Sequence, residues 1–360
     1  MIVVQDRISV AAADLPRLRA LLEQRYLPAA RGRGLTLVDS GVSPPLDRGR
    51  QPCTFWLRWQ LADVGAFWTM RAMAGMDPGV AAFWAEVDGF CPARTREFLR
   101  PDAFADAPLP GPVPLAAFLG QPRGWRETAQ LHLRSGIGAE QRTALETALA
   151  RMAEQPGVLD AHLGHNIAVA HGAGHYTWDV RYRDAETAAA AKASAFWTGT
   201  LAPLFDRCLE RMDLMALETV AAGARRPDLR TGIKRTALFR LMDGVDQRGR
   251  DEFERDTLEM PAYIPQILNW RLSRALPPAG GGATTIPWSH VWEQEYARLD
   301  DLNGPYMIHP HHWAFVDTLF DFESGRQIVD TRICHAYCPL DGGMLGAELA
   351  QSSQHGKETR

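Results

Sequence analysis

Apolar and polar residues alternate in short runs along this chain, and stretches of helical spacing separate the runs in an order that repeats three times. Residues 2–10 read as a strand, and 14–24 as a helix with Leu15, Leu18 and Leu22 on its apolar face. Residues 35–42 and 54–61 follow as strands. A long helical stretch at 63–91 is interrupted around 75–79, and a strand at 94–99 closes the unit. The same order restarts with strands at 130–134, 158–167, 175–183 and 209–220 and helices at 139–155 and 185–207. A third round places strands at 234–241, 267–276, 289–296 and 327–337. Its helices are expected at 247–260 and, broken, at 299–321. The order β-α-β-β-α-β is the split-βαβ or ferredoxin-like arrangement.

The expected fold is therefore α+β: three tandem ferredoxin-like modules whose sheets form dimeric α/β-barrel assemblies. The expected boundaries are 1–100 for a scaffold module, 101–125 for a proline-rich linker and 126–221 for the second module. A connector at 222–231, a third module at 232–340 and a loose polar tail at 341–360 complete the chain. Tyr176, Trp178, Asp179 and Tyr182 of module two are echoed by His290, Trp292, Glu293 and Tyr296 of module three. Such internal repetition decides the architecture. One face of a four-stranded sheet stays uncovered by its own helices and has to be buried. Two modules can bury each other's sheets, and the odd one leads to the expectation of a homodimer.

Candidate chemistry concentrates in Tyr306-Met307-Ile308-His309-Pro310-His311-His312-Trp313. Pro310 is expected to open a helix with Trp313, Val316 and Phe320 on one face. His311 and His312 would then lie in its first turn, where the macrodipole disfavours added positive charge and an imidazole stays neutral enough to act as a base. His132, His162, His165, His171 and His175 gather in module two and leave a second site open as a question. Module one has no histidine.

Composition narrows the class. The chain has 360 residues, 46% hydrophobic and 23% charged, as in globular proteins. A net charge of -4 gives no general attraction to nucleic acid or to anionic membranes. Cys334 and Cys338 lie about 13 Å apart along an extended strand, too far for a disulfide. Without a leader-like start or a membrane-length apolar run, a cytoplasmic location is expected. His309, His311, His312 and His335 lack an accompanying carboxylate motif such as HExxH, so neither a metal nor another cofactor is expected.

Module three resembles the stress-responsive dimeric α/β-barrel (Dabb) family, through Ser289-His290-Val291-Trp292-Glu293, the Tyr306–Trp313 stretch and the closing Ile333-Cys334-His335-Ala336-Tyr337. Within that family it is most similar to the olivetolic acid cyclases of plants. The resemblance implies that His312 and Tyr306 are catalytic and that His290 is a further pocket histidine. The family's first-strand histidine falls near Arg235 and its first-helix tyrosine near Thr257. The function expected is a cofactor-independent lyase, cyclase or isomerase acting on a hydrophobic aromatic or polyketide-like carbonyl compound. Its rival is a non-catalytic ligand-binding barrel, and a metal- or haem-dependent barrel enzyme comes third. Trp292, Tyr296, Trp270, Arg235, His309 and Trp313 are the expected substrate contacts.

Overall fold

Three times along the chain a strand, a helical stretch, two strands, a second helical stretch and a strand follow one another, as the alternating pattern predicts. The computed structural model describes residues 1–101, 108–115, 118–120, 122–281 and 284–349. They fall into two compact units, Met1–Gly111 with Ile308–Thr331, and Pro112–Met307 with the chain from Arg332 onward. No helix among the described residues is long and apolar enough to cross a membrane.

The first unit opens with β1 (Ile2–Ala11), α1 (Leu15–Leu21), α2 (Leu27–Gly32), β2 (Thr36–Ser43) and β3 (Pro52–Leu61). It continues with α3 (Val64–Met76), α4 (Pro78–Asp88) and β4 (Ala93–Leu99). Its antiparallel sheet has the order β2-β3-β1-β4. Alternation works as expected: Val4, Ile8, Val10, Phe55, Leu57 and Trp59 are buried, while Arg7 and Arg58 between them are exposed. The predicted interruption at 75–79 is the α3–α4 break. Pro78 has no N–H to continue α3, and the Asp77 carboxylate accepts from Gly79 N to start α4.

Residues 308–331 pack in this unit. Trp313 joins its core, with ring centroids 5.2 Å from Phe67 and 5.3 Å from Phe98. Buried Glu323 accepts from Arg33 (3.0 and 3.1 Å), Tyr26 (2.5 Å) and Trp84 (3.2 Å), with Arg96 3.2 Å away. The regular helix expected after Pro310 does not form. A wide turn at His311–Phe315 gives way to a tight one at Val316–Leu319. Phe315 between them leaves helical geometry at φ -121°, ψ -69°. The macrodipole argument for a neutral His312 therefore loses the helix it needed.

The second unit begins with β5 (Phe118–Leu119), β6 (Trp125–Leu133), α5 (Ala139–Ala150), β7 (Val158–His165) and β8 (Tyr176–Tyr182). Next come α6 (Ala185–Ala193), α7 (Ala202–Cys208), β9 (Leu209–Ala224) and β10 (Thr231–Phe239). It ends with α8 (Gln247–Tyr263), β11 (Asn269–Leu276), β12 (His290–Tyr296), α9 (Leu299–Asp301) and β13 (Cys334–Asp341). Modules two and three share one sheet, ordered β13-β10-β12-β11-β9-β6-β8-β7, with β5 added on β9. The seam is made by residues expected to be connector. Ala221–Ala224 extend β9 and pair with β11, where Trp270 packs against Gly223 and a Cβ there would meet its ring at 2.2 Å. On the other side Ile167 N donates to Tyr337 O at 2.7 Å, so the sheet nearly closes into a barrel.

Two further expectations change. The last strand is Cys334–Asp341 rather than 327–337, because Ile328 N and Val329 N both donate to Leu319 O and are not available to a ladder. The tail beyond 340 is not loose at its start: Met344, Leu345, Glu348 and Leu349 are buried. Glu348 meets Arg271 at 2.5 Å inside the barrel, and Met344 N and Leu345 N donate to Glu295. A polar composition misled here because Glu348 finds its counter-ion indoors. Residues 350–360 lie outside the described residues.

Candidate functional site

Strand parity divides the residues of module three between the barrel interior and the helix-side face. Val291, Glu293 and Glu295 face inward, where Arg126, Asp179, Lys234 and Glu293 form a ring of ion pairs at 2.6 to 3.0 Å. His290, Trp292, Gln294 and Tyr296 project to the opposite face, with Arg235 of β10 opposite Gln294 and Tyr337 of β13 opposite Arg235. This second face carries the unspent chemistry.

Arg235 is its centre. The side chain is buried, and Nη1 donates to Gln294 Oε1 (2.6 Å) and to the Tyr306 hydroxyl (2.9 Å). Its guanidinium also lies over the Tyr306 ring, 5.2 Å from the centroid. Nη2 lies 3.2 Å from His335 Nε2. A guanidinium only donates, so that ring nitrogen has to be the unprotonated one. The same reasoning fixes Gln294: its oxygen faces Arg235, which leaves its amide nitrogen as the donor toward Tyr306. Arg235 Nε, the Tyr296 hydroxyl and the Trp292 indole nitrogen are buried without a partner. Burial pushes the Tyr306 phenol above its ordinary range, and Arg235 opposes that rise.

His290 is fully buried beside this group and has both nitrogens engaged. Nδ1 is 3.0 Å from Ser289 Oγ and Nε2 is 3.1 Å from Glu254 Oε1. Glu254 in turn accepts two bonds from Arg274. Burial lowers the affinity of His290 for a second proton, although Glu254 favours it. Thr257, the position where the resemblance places a tyrosine, is buried on α8.

The other expected residues lie elsewhere. Trp270 seals the β9–β11 seam. His309, His312 and Trp313 belong to the first unit and Tyr306 to the second, because the chain passes from one to the other between Met307 and Ile308. There the half-buried His312 ring lies 5.1 Å from that of Trp68, and His309 Nδ1 accepts from His311 N at 3.1 Å. In module two, His132 Nε2 faces Arg211 at 2.7 Å, and burial followed by Arg211 lowers its pKa to about 4. His175 Nδ1 accepts from Leu133 N. Those two imidazoles are tied into structure. The first unit also has a cleft of ≈ 800 Å³ between α1 and the β2–β3 hairpin, lined by Leu15, Leu22, Val42 and Phe55. Its charged lining residues Arg19, Glu23 and Asp47 are exposed.

Gln294, Tyr337 and Glu254 were not among the expected site residues, and His335 was weighed only as a metal ligand. The signal for Gln294 was present, since it lies between Trp292 and Tyr296 at strand parity. Tyr337 shares parity with His335 in the same way.

Residues 233–333 match the family model of the Stress responsive A/B Barrel Domain. This segment belongs to the Dabb family. The Dabb segment contains Arg235, Glu254, His290, Gln294 and Tyr306 and stops two residues short of His335. None of the curated proteins matches the chain. Among solved structures, one titled an anthrone oxidase-like protein is 12% identical, covering 62% of this chain and 94% of its own, at a TM-score of 0.47. A candidate monooxygenase of Fusobacterium nucleatum subsp. nucleatum is 10% identical over 62% of this chain and 98% of its own, at 0.41. An uncharacterised NIPSNAP domain protein of Burkholderia xenovorans is 19% identical over 30% of this chain and all of its own, at 0.24.

Proposed function

We propose that the Dabb segment binds a hydrophobic, aromatic or polyketide-like carbonyl compound and catalyses a lyase, cyclase or isomerase step by proton transfer without a cofactor. The observation that supports this is the Arg235–Tyr306 pair at 2.9 Å. A phenol anchored by a guanidinium is placed to hydrogen-bond a substrate oxygen, and the fixed positive charge stabilises negative charge developing there. In this reading a base removes a proton from carbon, the electron pair moves onto the carbonyl oxygen, and Tyr306 with Arg235 holds the resulting enolate. The proton then returns to another carbon, or the enolate expels or attacks a group. His335 is the base proposed: its unprotonated Nε2 accepts from Arg235 at 3.2 Å and becomes available for a proton when Arg235 turns to the substrate oxygen. His290, with both nitrogens engaged, positions the strand and leaves proton transfer to its neighbours.

Tyr306→Phe tests the proposal. Removing the hydroxyl while keeping the ring should lower kcat by about 10²–10³-fold, with little change in ligand affinity. His335→Gln should remove the low-pH limb of the rate profile together with most of the rate. A barrel that merely holds its ligand predicts instead that both variants bind as the wild type does and that no form turns anything over.

A further inference from the structure

Every buried lysine or arginine among the described residues has a carboxylate within ion-pair distance, with one exception. Arg33 meets Glu323 at 3.0 Å, Arg96 meets Asp6 at 2.7 Å, and Arg126 meets Glu293 at 2.6 Å. Lys192 meets Glu127 at 2.6 Å, Lys234 meets Asp179 at 2.8 Å, and Arg271 meets Glu348 at 2.5 Å. Arg181 is bound to Asp160. Arg235 is 3% exposed, and its partners are an amide oxygen, the phenols of Tyr306 and Tyr337 and an imidazole, none of which is a carboxylate. A buried charge without a counter-ion is costly, and a fold that neutralises all its other buried cations has an evident means of avoiding that cost here.

The neighbours sharpen the point. Around Arg235 the unmatched groups are two donors, its own Nε–H and the Trp292 indole N–H, and the Tyr296 hydroxyl, which can donate as well. A buried site with surplus donors, a fixed positive charge and aromatic walls is complementary to an oxygen anion on an apolar body. We infer that Arg235 is the binding residue for a carboxylate, and that the ligand of the Dabb segment is a hydrophobic or aromatic acid. The inference rests on the proposed site but not on its proton-transfer chemistry. The carboxylate completes the ion pair that the protein leaves open, so binding and charge neutralisation are one event.

The experiment compares benzoate with its neutral isostere benzamide, by calorimetric titration and by thermal shift, on the full chain and two variants. Wild type should bind benzoate about ten- to a hundredfold more tightly than benzamide, as a charge-assisted pair would require. Arg235→Met should lose that preference while melting at or above the wild-type temperature, because it deletes an uncompensated charge. Arg271→Met is the control: it strands Glu348 and should melt lower. Two results would overturn the inference. One is equal binding of benzoate and benzamide. The other is an Arg235→Met protein that melts as low as Arg271→Met or does not fold, which would make the guanidinium structural. Failure of the proton-transfer reading looks different: benzoate preference persists while Tyr306→Phe changes no rate.

Discussion

Replacing Glu323 by glutamine should destabilise the first unit selectively. The carboxylate is buried and collects two bonds from Arg33, one from Tyr26 and one from Trp84, with Arg96 3.2 Å away. Glutamine has nearly the same shape, so no cavity opens. One oxygen becomes an NH₂ group that faces donors, and the buried Arg33 guanidinium loses the carboxylate it pairs with. Arg96 keeps Asp6 at 2.7 Å, so the loss falls mainly on Arg33. Removing one member of a buried ion pair costs about 3–5 kcal/mol. Native-state hydrogen exchange read by mass spectrometry measures this locally: amides of β1 and β4 should exchange faster, while those of β10 and β12 stay protected and serve as the internal control. Arg33→Met in the same chain should recover part of the loss, since the stranded charge is then gone. A loss below about 1 kcal/mol, typical of exposed pairs, would refute the reasoning. An equal loss in both units would refute it too.

Acid should act on the same carboxylate. Burial alone would raise the Glu323 pKa, but Arg96 and Arg33 outweigh it and hold it near 2, against 4.5 ordinarily. A depressed carboxylate stabilises fully above its unfolded value, so protection of β1 and β4 should fall as pH drops from about 4.5 toward 2, and Glu323→Gln should flatten that dependence. His312, which the resemblance marks as catalytic, should lose turnover on substitution by alanine if it supplies the base. Unchanged turnover, set against a dead His335→Gln, assigns the base to His335. The homodimer expected from the odd number of modules should give roughly twice the 39.9 kDa chain mass in light scattering, and a monomer at high concentration sinks it.

The strand order was legible because alternation survives wherever one face of a sheet is buried, as at Val4, Ile8 and Val10 or at Phe55, Leu57 and Trp59. Tyr306 and Arg235 were legible as chemistry from residue type and resemblance. What pattern could not reveal is which distant residue completes each group. Glu323 reads as one more acidic residue in a loop until Arg33 and Arg96, more than two hundred residues away, surround it. Glu348 reads as tail until Arg271 receives it. Ala221–Ala224 looked like connector because small residues carry no periodic signal, yet they allow Trp270 to lie against Gly223. Hydrogen bonding decided the last strand as well: the amides of Ile328 and Val329 were already committed to Leu319.

Register makes the three copies comparable position by position. Trp59 lies opposite Val4, Trp178 opposite Ala129, and Trp292 opposite Ala237, so the repeated tryptophan marks one place in each module. One residue after it stand Gln60, Asp179 and Glu293. Three residues before its partner stand Met1, Arg126 and Lys234. In modules two and three those positions form the interior ring of ion pairs that the two sheets share. In module one neither side chain is charged. A second copy of the chain docking on the first module's sheet would therefore lack that ring; the exposed pairs Arg58–Asp39 and Arg7–Glu97 lie within the sheet itself and are each worth little. Two residues before the partner stand Ile2, Glu127 and Arg235. The first is apolar, and the second is neutralised by Lys192 at 2.6 Å. At one repeated place, the first copy avoids a charge and the second balances it within the fold. The third holds its charge open on the face where Tyr306 and His335 meet, and a ligand is what remains to balance it.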